Sequence, residues 1–326
     1  MTPDPTTHVI DAGGRYGIHP TWRGFKGELE YHLFEPDPRE AERLARKYAR
    51  DSHRIKINPL ALGEREAALK INILRHHGQS SAYLPNGDSV WFGNTRKGEG
   101  EVVSSYEANA VTVDQHCERH GISADFLKID TEGHEYAILK GGVTQLRHSV
   151  LGVRTEVHFD HVFRGAPLFS NIQDFMLERG FYLLNLDYTG QGAHKNGFVT
   201  GGRYGVLVSC DAVWLRRYER LFDDGNADLH ALRVLKYAAF CLHNNASDVA
   251  LDILLHGLDR RGLDYSRFQT TGLWRHLDIG IQRLFNALKY QPSQDPGLIR
   301  SVYEKIFRRE LKQMHEYYES EETNPD

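Results

Sequence analysis

Residues 125–142 read DFLKIDTEGHEYAILKGG, and the remainder of the chain can be ordered around this stretch. It begins as a short apolar run, becomes acidic at Asp130, and continues with Tyr136, Leu139 and Gly142 spaced three apart. This order predicts a buried strand, a carboxylate-rich turn and a helix; a plain helix start with acids favoured by the helix dipole is the alternative. Ligands of open parallel α/β sheets bind beyond the carboxyl ends of the strands. We therefore expect four side chains at the mouth of a cleft: Asp130, Glu132, His134 and Glu135.

Composition limits the class of protein. The 326 residues suit one large or two ordinary domains, and 40% apolar residues allow a real core. The net charge is -4 and no block of Lys and Arg exceeds two residues, which argues against a nucleic-acid partner. Three scattered cysteines form no disulfide or metal pattern and suit a reducing cytoplasm. We expect no signal peptide, and no run of about 18 apolar residues predicts a membrane span.

A glycine turn follows the first predicted strand, residues 8–11. The sequence from Asp11 to Gly17 is DAGGRYG, and glycine lets a backbone turn tightly and approach a ligand closely. The spacing is not the Gly-x-Gly-x-x-Gly of dinucleotide sites, because Arg15 and Ile18 occupy the later positions. A plain turn is the alternative.

A carboxylate follows the second predicted strand, residues 30–34. Glu35 stands about 20 residues after the glycine turn, where a carboxylate can accept hydrogen bonds from a ribose diol. Asp37 can also cap a helix that Pro38 opens and that runs to Tyr48. Both roles can hold together, with Glu35 on a ligand and Asp37 on the helix.

The middle of the chain predicts further strands and a long insertion. Residues 54–57 and 67–74 are strand candidates, the second with alternating apolar and polar side chains. Residues 75–109 are rich in Gly, Ser and Asn, so we expect a loop-and-hairpin insertion over the cleft. Three aromatic side chains interrupt it: Tyr83, Trp91 and Phe92. They could stack on a flat or sugar-like acceptor, or equally pin the loop to its own core.

Helices and strands are predicted to alternate through the second half of the α/β pattern. Residues 112–120 suit a helix with His116 and His120 on one face, and we expect a solvated surface there rather than a metal site. Further strands are predicted at residues 150–158, 181–186, 204–208 and 212–215, with a helix at 172–179. The last two strands would close the sheet as a hairpin after a glycine-rich loop at 191–202.

Only helices are predicted after about Asp223. They are expected at residues 229–242, 247–257 and 274–288, and from Pro296 through Leu298, Val302, Ile306 and Leu311. Residues 319–326 form an acidic tail with a composition typical of disorder. The region has no polar constellation that suggests chemistry, so we expect an all-α appendage for docking or dimerisation. The predicted domains are residues 1–222 and 223–326.

Together these residues resemble the FkbM family of S-adenosylmethionine-dependent methyltransferases. Residues 126–135 with 139–142 look like its fourth-strand signature, and DAGGRYG, FEP and NPLALG fall in the family's order. The resemblance covers about residues 8–217. It implies a Rossmann-like class I methyltransferase fold, with a mixed, mostly parallel seven-stranded sheet and a closing antiparallel hairpin. The chain departs from the family at Arg15, where Asn is usual; Arg15 could itself pair with the methionine carboxylate of the cofactor.

The resemblance also implies site residues, with S-adenosylmethionine as cofactor and a sugar hydroxyl of a polysaccharide or glycosylated metabolite as acceptor. The cofactor-binding candidates are Asp11, Gly13, Arg15, Gly17, Glu35, Asn58, Ala61, Asp130 and Glu132. The acceptor must lose a proton, so the catalytic candidates stand at two strand ends. They are Asp130, His134, Glu156 and His158, with either histidine as the base. Asp130 with Glu156 could instead hold a divalent ion, for which oxygen ligands favour Mg2+ over zinc.

Two other functions compete with this one. The first is a nicotinamide-dependent oxidoreductase, which the glycine spacing disfavours. The second is a non-catalytic binding or scaffold protein, which the dense acids disfavour because buried unpaired carboxylates are costly. We expect a cytoplasmic enzyme of polysaccharide biosynthesis, with homo-oligomerisation through the C-terminal helices left open.

Overall fold

The structure, a computed structural model, describes residues 3–23, 25, 27–192, 205–288 and 296–308. The described residues divide into two compact units. An α/β unit comprises Thr7–Arg23 and Leu29–Arg220. A helical unit comprises the described parts of Met1–Thr6, Gly24–Glu28 and Leu221–Asp326.

Strands and short helices alternate along the α/β unit, as the sequence pattern predicts. Its strands are β1 (Thr7–Ala12), β2 (Leu29–Phe34), β3 (Ile55–Asn58), β4 (Ala61–Leu62), β5 (Ala67–Leu74), β6 (Val102–Val111), β7 (Phe126–Ile129), β8 (Gly152–His158), β9 (Phe181–Gly192) and β10 (Val206–Arg216). Its α-helices are α1 (Pro20–Arg23), α2 (Pro38–Lys47), α3 (Val113–His120), α4 (Glu135–Lys140), α5 (Val143–His148) and α6 (Phe169–Glu178).

Seven of the described strands form the main sheet, in the order β3-β2-β1-β7-β8-β10-β9. The first five are mutually parallel, and β10 runs antiparallel to both β8 and β9. This confirms the predicted mixed sheet with a closing hairpin. Strand order reverses between β1 and β7, so a crevice at their carboxyl ends is the expected ligand position.

The closing hairpin is longer than predicted. The candidates at residues 204–208 and 212–215 are parts of one strand, β10, and β9 continues to Gly192 instead of ending at 186. Residues 209–211, which separate the two candidates, keep their pairing with β8 while the pairing with β9 shifts register. Residues 193–204, which hold most of the predicted glycine-rich loop, lie outside the described part of the chain.

A second sheet of the described residues has the order β4-β6-β5. The loop-and-hairpin insertion predicted for residues 75–109 contains a strand from Val102 that was not located in advance: β6 pairs antiparallel with β5 from Val102 to Ala110. The β6 sequence VVSSYEANAV is mostly exposed and contains Ser and Asn. Strand formation there depends on the pairing partner rather than on local propensity.

The predicted helix starts of α2 and α3 are confirmed. Asp37 accepts a hydrogen bond from the Arg39 N–H with Pro38 at the first helical position, and Thr112 forms a capping box with Gln115. The apolar faces of these helices and of the sheet form the core. Its fully buried members include Ile10, Phe34, Cys117, Leu127, Val153 and Trp214.

The helical unit contains α7 (Ala227–His243), α8 (Ser247–Arg261), α9 (Gly272–Leu288) and α10 (Pro296–Phe307). The predicted end of α8 at Gly257 was wrong: Gly257 packs inside the helix against Tyr265, and the left-handed Gly262 follows the last turn. Leu311 and the acidic tail lie outside the described residues. Among the described helices, none has both the length and the apolar character needed to cross a membrane.

Candidate active site

The turn between β7 and α4 is braced by Glu135. The Glu135 carboxylate accepts hydrogen bonds at Oε1 from the Thr131 N–H (2.7 Å), the Thr131 hydroxyl (3.0 Å) and the Gly133 N–H (3.1 Å). Glu135 is buried, and burial raises its pKa to about 7. The expectation that it stands at the mouth of a cleft was therefore wrong. It holds the turn on which Glu132 takes a left-handed backbone conformation, with φ of 58°.

The buried side chain of Lys128 holds Asp130 in place through an ion pair. Lys128 on β7 places its Nζ 3.3 Å from Asp11 Oδ1 and 3.4 Å from Asp130 Oδ2. Asp11 is fully buried on β1 and also accepts a hydrogen bond from the Tyr31 hydroxyl. Burial alone would lower the pKa of Lys128, but the two carboxylates outweigh it and hold that pKa above its usual value. Lys128 is therefore a cation, and the Asp130 side chain, which is 43% exposed, is oriented toward the open edge.

The glycine turn after β1 touches this acidic turn. A Cβ at Gly13, whose φ is 83°, would overlap the backbone carbonyl of Asp130. The Asp130 N–H donates to the Ala12 carbonyl (3.0 Å), and the Gly13 and Gly14 N–H groups both donate to the Phe34 carbonyl (3.2 and 3.1 Å). These bonds join the ends of β1, β2 and β7 at one edge. Gly17 also has a positive φ, 89°, and lies against the side chain of Tyr48.

Glu35 lies at the same edge, at the end of β2. It is 5% exposed, and its Oε1 accepts a hydrogen bond from the Asp37 N–H at 2.9 Å. Burial raises the pKa of Glu35 to about 7. The structure thus places Glu35 beside Gly13 on the lining of one cavity, where the sequence predicts a ribose-binding carboxylate.

Three other cofactor candidates occupy different positions. Arg15 lines the cavity near the start of α2, with its guanidinium 3.5 Å from Asp37 and 3.4 Å from Glu40. The Asn58 amide donates to backbone carbonyls within the sheet, at 3.2 and 3.4 Å. Ala61 lies on the cavity wall.

The cavity has an acidic floor and an apolar wall. Its floor carries Ala12, Gly13, Glu35, Asp130, Thr131 and Glu132. Its wall comes from the β4-β6-β5 sheet, with the residues Ala61, Leu62, Leu69, Ile71, Ile73 and Tyr106. Polar groups at the edge of this wall are His77, Ser80 and Ser81, and the Ser81 hydroxyl donates to the Glu132 carbonyl. The β4-β6-β5 sheet therefore contributes one side of the site, which suits a flat ring against apolar side chains.

The insertion's aromatic side chains pack on their own core. Phe92 is 5% exposed and meets Phe163 edge-on, with ring centroids 5.7 Å apart. Trp91 and Tyr83 pack against the same cluster. The structure supports the interpretation that the aromatic side chains pin the insertion to the protein. The alternative prediction, that Phe92 stacks on an acceptor, is wrong.

Acids and a histidine meet where β7 and β8 end. Glu132, Glu156 and His158 each place one ligand atom within 4.8 Å of the others. Glu156 Oε2 lies 3.8 Å from His158 Nε2 and has no hydrogen-bond partner among the described residues. Burial, together with Glu132 and Asp130, raises the pKa of Glu156 well above its usual value. Burial lowers the pKa of His158 to about 4. The sequence suggested Asp130 and Glu156 as metal ligands, whereas the group in the structure contains Glu132 with Glu156.

His134, the other candidate base, lies on the cavity wall beside Tyr83, with ring centroids 6.0 Å apart. Burial lowers its pKa to about 4, and its Nδ1 has no hydrogen-bond partner within the described residues. Both histidines are therefore neutral near pH 7, and each remains a predicted base.

Two parts of the site escaped the sequence reasoning, and one expectation was wrong. Lys128 interrupts the apolar run before Asp130, and a lone Lys in a buried strand is a signal of a buried partner. Tyr31 has no local signal, because only the pairing of β1 with β2 brings it to Asp11. His120 is exposed as expected, but His116 is 3% exposed and its Nε2 lies 2.9 Å from His32 Nδ1. The solvated-face interpretation therefore fails for His116.

The strand order, with a glycine turn after β1 and acids after β2 and β7, defines a class I methyltransferase fold. Residues 11–183 match the family model described as the methyltransferase FkbM domain. The chain belongs to this family, as the sequence resemblance indicated. In the comparison with curated proteins, no sequence matched.

Three solved structures are similar to this chain. They are methyltransferase FkbM from Methylobacillus flagellatus KT (14% identity, TM-score 0.38, 65% of this chain and 44% of that one), the B. subtilis tRNA methyltransferase TrmK (10%, 0.30, 93% and 88%) and the 23S rRNA methyltransferase ErmE (12%, 0.31, 84% and 90%). This chain thus spans less than half of the M. flagellatus chain. These likenesses are too distant to bear on the acceptor.

Proposed function

We propose that this chain transfers a methyl group from S-adenosylmethionine to a sugar hydroxyl of a polysaccharide or glycosylated metabolite. The observation that carries the proposal is the set of acids on one cavity, Glu35 at the end of β2 and Asp130 and Glu132 after β7, with Glu156 of β8 close to Glu132. The cofactor presents a ribose diol at one end and ammonium and sulfonium charges at the other. Acids at two separate positions complement both ends.

The chain's residues fit this cofactor in charge. Glu156 has a buried oxygen with no hydrogen-bond partner among the described residues, and the charged neighbours that raise its pKa are themselves acids. Such a cluster is costly to ionise until a cation compensates it. Glu35 would hold the ribose, Gly13 and Gly17 would allow close approach, and Asp130 with Glu132 would face the cationic end. The apolar wall around Ala61 and Leu62 would take the adenine ring.

When bound, S-adenosylmethionine supplies an activated methyl group on a sulfonium leaving group. The chain supplies position and a proton acceptor for the hydroxyl. Neutral His158 can take that proton at Nε2, 3.8 Å from Glu156 Oε2. Once the cationic cofactor compensates the acids, an ionised Glu156 would stabilise the imidazolium. Lys128 keeps Asp130 in place to orient the reacting groups. His134 is the alternative base.

A divalent ion such as Mg2+ is the other way to acidify the hydroxyl. Asp130 with Glu156 is the pair that the sequence suggested, and Glu132 with His158 completes the set around Glu156. Loss of turnover in a chelator, restored by added Mg2+, supports the ion. Unchanged turnover in a chelator leaves His158 or His134 as the base.

The test has a binding stage and an acceptor stage. Thermal shift should show stabilisation by S-adenosylhomocysteine and none by NAD; the reverse would support a nicotinamide-dependent enzyme. Nucleotide sugars and glycans are then screened with cofactor for a gain of one methyl mass. His158→Gln should abolish the mass gain and retain cofactor binding, while His161→Gln, an exposed neighbour, should not. Cofactor binding without methyl transfer to any carbohydrate would refute the acceptor assignment, and no cofactor binding would favour a non-catalytic scaffold.

We propose that the region from about residue 223 onward serves assembly and not chemistry, so that residues 1–222 form the methyltransferase domain. The acids of the proposed site all belong to the α/β unit. Within the helical unit, Phe25 packs on His276 (4.9 Å between ring centroids) and Glu28 accepts from the Gly272 N–H at 2.8 Å. Truncation after 222, with Phe25→Ser to remove an uncovered aromatic, should keep cofactor binding and change the sedimentation coefficient. Loss of cofactor binding would contradict this division.

A further inference from the structure

The amino ends of β1 and β2 carry a cluster of imidazoles far along the strands from the acidic turns. His8 on β1 is paired in register with Glu30 on β2, and His32 lies two residues further along the same face. Their ligand atoms, His8 Nδ1, Glu30 Oε1 and His32 Nε2, all lie within 4.8 Å of one another. We propose that these three side chains bind a divalent first-row transition cation such as zinc.

The distances suit an ion after a small adjustment of one side chain. Glu30 Oε1 lies 2.8 Å from His32 Nε2 and 3.8 Å from His8 Nδ1. In a tetrahedral site with metal–nitrogen bonds near 2.0–2.1 Å, neighbouring ligand atoms lie roughly 3.3 Å apart. The Glu30 side chain is 27% exposed, so its carboxylate can turn to equalise the two separations and solvent can deliver the ion.

One ligand atom lacks a partner without an ion. His8 Nδ1 is inaccessible to solvent and has no hydrogen-bond partner among the described residues. A buried ring nitrogen in that state costs free energy, and a metal bond would remove the cost. The backbone of His8 is meanwhile fixed, because its N–H donates to Asp125 Oδ2 (2.8 Å) and its carbonyl accepts from the Asp125 N–H (2.9 Å). The ligand is thus held before the ion arrives.

A second histidine layer supports the site from α3. His116 Nε2 lies 2.9 Å from His32 Nδ1, so the two rings share one hydrogen bond. With an ion on His32 Nε2, His32 Nδ1 carries the hydrogen and donates it to His116. Metal-ligating histidines commonly donate their other ring N–H in this way, which fixes the tautomer. Two nitrogens and one carboxylate oxygen favour zinc, cobalt or nickel over Mg2+ or calcium.

The experiment uses the full chain without a histidine tag, stripped with a chelator and titrated with Co2+. The expected result is a visible absorption band that saturates and that zinc displaces, with zinc found by elemental analysis of untreated protein. His8→Gln and Glu30→Gln should each abolish the band, and His116→Gln should weaken binding roughly tenfold. Two control variants should leave the Co2+ band unchanged. His53→Gln alters an exposed histidine, and Glu156→Gln alters the separate group of Glu132, Glu156 and His158.

Two results would overturn the proposal. One is the absence of a saturable band in the stripped full chain. The other is a band that survives both His8→Gln and Glu30→Gln, since Glu30→Gln changes only a part-exposed side chain and should fold. In either case the histidines form a hydrogen-bonded layer between the sheet and α3. Neither outcome bears on cofactor binding at the other end of the strands.

Discussion

The same two strands, β1 and β2, end in opposite chemistry. At their carboxyl ends, Glu35 lines a cavity with Asp130, and Asp11 is buried behind them in an ion pair with Lys128. At their amino ends, His8 and His32 lie with Glu30 beneath the histidines of α3. Turns build the first end and leave polar groups facing open space, whereas a helix covers the second. What covers a strand end therefore decides whether its side chains face a cavity or pack against one another.

The largest effect should come from the close contact at the carboxyl end. Gly13→Ala combines a strained positive φ with overlap on the Asp130 backbone, so we expect a loss of about 3 kcal/mol or more in unfolding free energy. Gly98 has a similar φ, 86°, with nothing within 4 Å of its absent Cβ. Gly98→Ala should therefore lose only about 1 kcal/mol. Equal losses in urea unfolding would show that the contact contributes nothing.

The next effect concerns turnover. Asp130→Asn keeps the shape of a side chain that Lys128 orients, but it removes the charge. We expect turnover to fall roughly a hundredfold with nearly unchanged stability. Asp88→Asn, at an exposed position, is the matched control. Normal turnover in Asp130→Asn would mean that Asp130 has no catalytic role and that the acids of this turn only stabilise the start of the helix.

Cofactor affinity should respond to Glu35. Glu35→Gln removes a charged acceptor from the cavity, and we expect S-adenosylmethionine affinity to fall about tenfold in calorimetry. Glu42→Gln alters an exposed acid of the same helix region and should have no effect. Unchanged affinity in Glu35→Gln would leave Glu35 with only its bond to the Asp37 N–H.

The pH dependence follows from the same carboxyl group. The pKa of Glu35 is raised to about 7 by burial, so the free protein holds a proton there that a ribose-binding carboxylate must release. Affinity should rise by no more than about tenfold between about pH 6 and pH 8. Stability should move oppositely: because the carboxyl pKa is raised from 4.5 to about 7 in the folded state, stability falls as pH rises from about 4.5 to about 7. Glu35→Gln should flatten both profiles.

The smallest effect should come from the amino end. Glu30→Gln lies on β2, four residues before the strand's last residue, Phe34, and alters a group that does not line the cavity. Cofactor affinity should stay within about twofold, since separated sites act independently. A large loss of cofactor affinity in Glu30→Gln would mean that the two ends of the strands are coupled. They would then not serve separate functions.

Local pattern predicted most elements because they follow hydrophobic periodicity and capping chemistry. The apolar run before Asp130 is β7, and Asp37 and Thr112 begin their helices as expected. Strand β6 could not be predicted, because its exposed Ser and Asn residues become a strand only through pairing with β5. The end of α8 was misplaced because Gly257 is buried in the helix.

The amino-acid order by itself determined which strand ends carry acids, that a glycine turn precedes the Glu35 position, and which family the signature resembles. These are local properties, set by residue type and spacing. Only the tertiary structure decided which acids face the cavity. Glu135 turns inward because three donors of its own turn converge on it, and Glu132 joins Glu156 and His158 because β7 and β8 are neighbours. The contact of His116 with His32, 84 residues apart, likewise depends on α3 lying over β2, which no local spacing encodes.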